Sequence, residues 1–384
     1  MNFLLLNNYF ATENGSFKMK YYIIAGEASG DLHGSNLIKE IRKLDAGAVI
    51  RCWGGNEMEH AGALLVKHYK DLAFMGFTEV IKNLPTIFKN LAFCKKDISA
   101  FEPEVLVLID YPGFNMRMAK WAHKKGIKTV YYISPQVWAW KENRVHAIKR
   151  DVDKMLVILP FEKDFYKKYD VEVDYVGHPL VEVIHDFNSG NPDIKKENII
   201  ALLPGSRKQE ILIKLPIMLQ VANYFPNYKF VVAKAPGLDD NFYDALLVPY
   251  KNVDSVANKT YELLAKAKAA LVTSGTATLE TALFKVPEII CYKGGKISYQ
   301  IAKRLIKIKY IGLINLILDK EVVKELIQDE LNVKNIVKEL KTLLEDNDKI
   351  KTLKKDYNAL IELLHAGGNA SANAAEKIYS LIRN

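Results

Sequence analysis

Two short turns in the second half of the chain carry groups suited to holding a diphosphate. The first is Leu202-Leu203-Pro204-Gly205-Ser206-Arg207, which follows an apolar run from Ile199 and precedes a helical pattern beginning near Gln209. A strand that enters a tight turn and leaves as a helix aims free backbone N–H groups, the positive end of the helix dipole and one guanidinium at a single point. The second turn is Thr273-Ser274-Gly275-Thr276-Ala277-Thr278-Leu279-Glu280, after the apolar strand Ala269–Val272. Its small residues let a ligand approach the backbone just before a helix starts. Together they predict a nucleotide diphosphate site in this half, with Gly205, Ser206, Arg207, Ser274, Gly275 and Thr276 at the phosphates.

The first half holds carboxylates and imidazoles where an open α/β sheet places ligands, at the carboxyl ends of strands. Asp110 ends the apolar strand Val105–Ile109 and enters Tyr111-Pro112-Gly113-Phe114-Asn115. A rigidly placed carboxylate of this kind suits a general base; the alternative is that it satisfies backbone N–H groups in its own turn. The stretch Gly26-Glu27-Ala28-Ser29-Gly30-Asp31-Leu32-His33-Gly34 follows the strand Tyr21–Ala25 and brings Glu27, Asp31 and His33 to its end, with Ser29 or Asp31 also eligible as a helix cap. Its glycine spacing is not the G-x-G-x-x-G fingerprint, so a nicotinamide cofactor is not expected. Ser134-Pro135-Gln136-Val137-Trp138-Ala139-Trp140 precedes a basic helix. Tryptophans beside cations suit base stacking, but the segment lies inside a strand-helix alternation without a nucleic-acid motif, and nucleic acid is not an expected partner.

Large apolar residues with lysines at their margins, among them Phe74, Met75, Phe77, Lys82, Phe88 and Lys89, suit a surface that dips into an anionic lipid interface. The same spacing also describes a helix face turned to a core. A net charge of +9 over 384 residues favours an anionic partner. No apolar run approaches the roughly 18 residues of a membrane span. Cys52, Cys94 and Cys291 show no metal spacing and read as buried thiols of a reducing cytosol, and the histidines form no H-E-x-x-H pair. Neither a metal nor a cofactor is expected.

These groups need scaffolds, and the chain is long enough for two. Residues 1–18 read as an extension, with Met19 a plausible alternative start. Apolar strands alternate with helical patterns over residues 19–180, a polar stretch follows at 181–197, and the alternation resumes from 198 before turning helical after about Lys296. The pattern predicts two doubly wound, Rossmann-like α/β domains facing across a cleft, the second ending in a helical segment assigned to residues up to 384. That segment either returns to the first domain or exchanges with a second subunit, so a monomer and a homodimer are both open.

Six stretches in order, Ala25–Gly34, Ile109–Asn115, Tyr132–Trp140, Val176–Leu180, Leu202–Arg207 and Ser274–Glu280, resemble the signature of the lipid-A-disaccharide synthase family. The resemblance runs from about Lys20 to the C-terminus. It implies a glycosyltransferase B fold and an inverting transfer of 2,3-diacylglucosamine from its UDP derivative to the 6-hydroxyl of 2,3-diacylglucosamine 1-phosphate, at the cytoplasmic face of the inner membrane. Asp110 and Arg207 match the family's essential aspartate and arginine. Glu280 is suited to the ribose hydroxyls, and Asn315 and Gln328 correspond to polar positions near the nucleotide. Glu27, Ser29, Gly30, Asp31, His33, Asn115, Gln136 and His178 fall to the donor and acceptor sugars. The family's Leu-Pro-Asn and Val-Pro-Glu stand here as Leu313-Ile314-Asn315 and Val323-Lys324-Glu325. The competing readings are an enzyme like UDP-N-acetylglucosamine 2-epimerase and a membrane-bound sugar-nucleotide sensor without turnover.

Overall fold

Alternate side chains along Lys20–Ala25 enter different cores. This strand, β1, lies in a parallel sheet with β2 (Val49–Gly54), β3 (Leu64–His68), β4 (Val105–Ile109), β5 (Lys128–Tyr132), β6 (Lys154–Val157) and β7 (Asp174–Tyr175), in the order β3-β2-β1-β4-β5-β6-β7. Tyr22 and Ile24 pack with Leu106 and Leu108 beneath the helices Leu84–Phe101 and Pro112–Lys124. Tyr21, Ile23 and Ala25 pack with Val105, Val107 and Ile109 beneath the helix Ala28–Leu44 and the last helix, Ala370–Arg383. Strands apolar on both faces require a cover on both, which helical crossovers between parallel strands supply.

The computed structural model describes residues 18–72, 84–235, 238–295, 299–300 and 308–383. The chain divides between Pro179 and Leu180 and again between Ala366 and Gly367, so that the last helix belongs to the first unit. The second unit is built on β8 (Ile199–Leu203), β9 (Lys229–Lys234), β10 (Val253–Ala257), β11 (Ala269–Thr273), β12 (Glu288–Tyr292) and β13 (Lys324–Ile327), parallel in the order β10-β9-β8-β11-β12-β13.

Three differences from the sequence expectation have physical causes. Residues 181–197 are not all linker: Pro179–Gly190 is a helix, with an apolar face that a search for Gly and Asn overlooks. The segment from Gly367, given to the second domain by its bounds although a return was left open, belongs to the first unit, because its small apolar stripe, Ala374, Ala375 and Ile378, packs on the first sheet. The edge strands β3, β10 and β13 were not expected: β10 and β13 lack a continuous apolar run, and β3 has only the short run Leu64-Leu65-Val66, none of it fully buried because the strand is paired on one side only.

A backbone contact fastens that return. Gly177 sits at φ +95°, and a Cβ there would come 2.7 Å from the Gly368 carbonyl oxygen. Asn373 Nδ2 donates to the carbonyls of Val176 (3.0 Å) and Gly367 (2.6 Å), and Lys377 pairs with Asp174 at 3.0 Å. Gly177→Ala is expected to lower stability by about 1–3 kcal/mol through strain and displacement of the last helix. Gly190→Ala, with nothing within 4 Å of its new methyl group, is the control. Denaturant melts of the two variants check this; equal midpoints would refute it.

Candidate active site

In both sheets the motif-bearing turns stand where strand order reverses, the place at which an open α/β sheet leaves a crevice. In the first unit the reversal lies between β1 and β4, with Ala25 opposite Ile109. The next residues, Gly26-Glu27 and Asp110-Tyr111, therefore emerge side by side. A Cβ on Gly26 would fall 2.3 Å from Tyr111 Cγ, so only glycine lets the Tyr111 ring close over this turn.

Asp110 and Tyr111 both have positive φ, +44° and +47°, and Ile133 at the end of β5 has φ +66°. Non-glycine residues rarely hold this conformation, and a β-branched one less than most. Three hydrogen bonds hold Asp110 there: its N–H donates to Tyr132 O (3.2 Å), and its carbonyl accepts from Asn115 Nδ2 (2.8 Å) and Tyr131 Oη (2.6 Å). Asn115, fully buried, also donates to Ile109 O at 3.1 Å. It positions Asp110 from behind. The Asp110 carboxyl itself has no cationic partner among the described residues. Burial, reinforced by the nearby charge of Glu27 and opposed by the Tyr111 N–H, pushes it up to about 6. A carboxylate of that basicity is suited to take a proton from a hydroxyl near neutral pH.

The other first-unit candidates divide. Asp31 is buried and accepts from the backbone N–H groups of Gly55 (2.7 Å), Met58 (3.1 Å) and Glu57 (3.2 Å). It caps the short helix Asn56–His60, a helix other than its own. Glu27, Ser29 and Gln136 are exposed, whereas Gly30 is buried with its α-carbon against Ala25, where it permits close helix-strand packing. His33 and His178 are buried near each other. Burial lowers His33 to about 4 and, with the charge of His33, lowers His178 to about 3. Both imidazoles are neutral at pH 7, and His33 Nδ1 has no hydrogen-bond partner among the described residues. Trp138 is buried against Phe161 and donates to Glu162 (3.3 Å), so it is core and offers no stacking face; Trp140 is half exposed beneath Lys141.

In the second unit the reversal lies between β8 and β11, which pair through Leu203 and Val272. Gly205 and Gly275 follow those strands at φ +110° and +147°. The helices Lys208–Gln220 and Thr276–Leu283 start directly behind them, and no side chain caps either start. Their first N–H groups are left for a ligand. Arg207 is 62% exposed and rests on Glu210 at 3.0 Å; Ser206 beside it in sequence is exposed, as are Gly275 and Thr276 of the second turn. Ser274 Oγ donates to Ile311 O (3.0 Å), and Glu280, raised by burial, accepts from Tyr261 Oη (3.2 Å).

A family model for lipid-A-disaccharide synthetase matches residues 21–379. The chain belongs to that family. A lipid-A-disaccharide synthase from Syntrophus aciditrophicus is 38% identical, over 94% of this chain and 97% of its own. Among solved structures, the glycotransferase of kitacinnamycin shares the fold (TM-score 0.66, 13% identity, 96% of this chain and 100% of that one). So does the UDP-GlcNAc 2-epimerase from Neisseria meningitidis (TM-score 0.65, 12% identity, 95% and 100%). The protein is therefore an enzyme of the lipid-A-disaccharide synthase family, a glycosyltransferase on the GT-B fold.

Seen as a synthase, the chain carries polar residues whose work differs from the expectation. Asn315, on the short helix Leu313–Ile317, is fully buried and its side chain makes four hydrogen bonds to the chain entering β13: it accepts from Val322 and Val323 N–H and donates to Val323 O and Glu325 Oε1. Glu325 in turn accepts from the N–H groups of Ile311 and Gly312. Asn315 thus shapes the Ile311–Gly312 loop, which Ser274 holds against the second turn. Gln328 has φ +54° and a buried Nε2 without a partner among the described residues, near Gly294 and Tyr292. Glu162, Glu210 and Lys214 were missed by sequence reasoning. Each lies outside a glycine turn, and a lone charged residue in a helical pattern reads as a solvated face.

Proposed function

We propose that this enzyme transfers 2,3-diacylglucosamine from its UDP derivative to the 6-hydroxyl of 2,3-diacylglucosamine 1-phosphate, releasing UDP and forming the β-1,6 disaccharide 1-phosphate with inversion. The observation that carries the reading is the Asp110 carboxyl fixed at the first switch point, without a cationic partner among the described residues and raised by burial to about 6. In one displacement the acceptor hydroxyl gives its proton to Asp110, its oxygen attacks C1, and the bond from C1 to the diphosphate breaks with its electron pair leaving on UDP. Arg207 and the uncapped helix starts stabilise the departing charge. Glu280 is suited to the ribose hydroxyls, and the Gln328 amide to the nucleotide. The neutral His33 and His178 are suited to hydrogen-bond sugar hydroxyls.

Both lipid substrates sit in a membrane leaflet, and among the described residues no helix is long and apolar enough to cross one. Contact with an anionic leaflet is supported by Phe88 (61% exposed) and Phe93 (48%) on the helix Leu84–Phe101, with Lys89 exposed between them. Phe74, Met75, Phe77 and Lys82 lie outside the described residues.

UDP release in detergent, from the acylated UDP donor with and without the acylated 1-phosphate acceptor, tests the reaction. Acceptor-dependent release with a β-linked product is expected; no release with both lipids present, from folded protein that binds UDP, would favour the epimerase or the sensor reading. The pH profile tests the base. A base works ionised, so kcat/KM should fall below pH ~6, as Asp110 takes up a proton. Removing the neighbouring negative charge with Glu27→Gln should move this acid limb to lower pH. A limb that stays in place would separate Glu27 from the base.

A further inference from the structure

Behind the first phosphate turn lies a charge cluster that the mechanism above does not use. Lys214, two turns into the helix Lys208–Gln220, has a side chain only 3% exposed. Its ammonium faces Glu210 Oε2 at 3.5 Å, and the other oxygen of the same carboxylate holds Arg207 Nη1 at 3.0 Å. The cluster sits directly under the turn. A Cβ on Gly205 would fall 3.1 Å from Glu210 Oε2 and 3.7 Å from Lys214 Nζ.

One carboxylate is thus shared by two cations, and the cations differ in freedom. Lys214 is enclosed and has no other anionic partner among the described residues, whereas Arg207 is mostly exposed and can turn to a ligand. A buried ammonium at a protein interior costs several kcal/mol unless a charge faces it, so it holds its counter-ion firmly. With Lys214 in place the cluster carries one net positive charge. Without it, Glu210 and Arg207 neutralise each other.

We propose that Lys214 is a positioning residue that keeps the Glu210 carboxylate engaged, so that a diphosphate arriving at the turn takes the Arg207 guanidinium without competition from Glu210. The inference rests on the reading of this turn as the diphosphate site. In the absence of ligand, Glu210 stands where the phosphate charge will act on Arg207 and holds its fork near the turn. When the phosphate arrives, Arg207 moves from one anion to another while Lys214 retains the first. The electrostatic field at the turn is then set by a residue that never meets the substrate.

UDP titration of four proteins by calorimetry tests this. Arg207→Ala should abolish or strongly weaken binding. Lys214→Met preserves the apolar stem and should weaken UDP binding about tenfold, because Glu210 then competes fully for Arg207. The double variant Lys214→Met/Glu210→Gln removes both charges of the Lys214–Glu210 pair and should return affinity to within about threefold of the parent. A purely structural role for Lys214 would not be rescued by a second substitution. Parental affinity in Lys214→Met, or no recovery in the double variant, overturns the inference. Should Lys214→Met not fold, the complex of the unaltered enzyme with UDP decides: Arg207 on phosphate and Glu210 still on Lys214 is expected, and Arg207 still on Glu210 overturns it. Failure of the underlying reading looks different, since the parent would then not bind UDP or Arg207→Ala would bind it equally well.

Discussion

Asp110→Asn should lower turnover by about 10²–10⁴-fold, the usual worth of a positioned base, while leaving UDP affinity unchanged. Asparagine is the informative replacement. It tolerates the left-handed conformation that Asp110 adopts at φ +44°, and the bonds from Asn115 and Tyr131 reach the backbone carbonyl, not the side chain. The variant therefore keeps the turn and loses only the capacity to accept a proton. The same change should make the protein more stable. Burial raises the folded carboxyl from 3.8 to about 6, so above pH ~6 the native state carries an ionised group it disfavours. The gain from Asp110→Asn should be on the order of 1–3 kcal/mol at pH 8, shrink as the pH falls through 6, and vanish below about 4, where the carboxyl is protonated folded and unfolded alike. Kinetics beside urea melts at the two pH values check both halves. Activity within tenfold of the parent, or a loss of stability at pH 8, would remove Asp110 from the role of base and leave it a turn residue.

Arg207→Ala should cost about 10²–10³-fold in kcat/KM, the range seen when one donor to developing charge is removed. It differs from the Asp110 change in where the loss falls. The diphosphate is present in the bound donor and gains charge as C1 departs, so both UDP affinity and kcat should drop. Arg207→Lys should recover less than a tenth of the lost activity, because a point charge on a flexible stem does not reproduce a planar fork. Its shorter head would also sit differently against Glu210, which now holds Nη1 at 3.0 Å. UDP titration together with single-turnover assays separates the two effects. Parental kinetics in Arg207→Lys would rule out a bidentate phosphate contact and leave the backbone N–H groups as the main anion site.

The two changes also test whether the site reads as two chemistries. One variant should bind and not react, the other should do neither well. Equal losses in both parameters for both variants would mean that each damages the fold of its turn, which the melts would expose.

How much of this was present in the sequence follows from what kind of signal each residue carries. The turns after β1, β4, β8 and β11 were legible because a strand end, a glycine and a helix start are local events that adjacent residues encode. Asp110 and Arg207 stand in such turns. The six stretches, with their order and spacing, were enough for the family resemblance that the family match bears out. Asp31 and Asn315 were found for their polarity, yet tertiary structure decided their use: one caps a helix more than twenty residues away, the other closes a loop on Val322, Val323 and Glu325. Hydrogen-bond partners distant in sequence leave no local trace. Lys214 shows the same limit from the other side. In the sequence it is one lysine in a helical pattern, and only folding under the Gly205 turn makes it a buried charge facing Glu210. The return of the last helix to the first sheet, through the Gly177–Gly368 contact, was one of two courses the sequence left open, and packing selected it, since chain order says nothing about which apolar sheet a small-residue stripe fits better. Local turn chemistry named the groups proposed to react, and packing decided which polar side chains are instead spent on the fold.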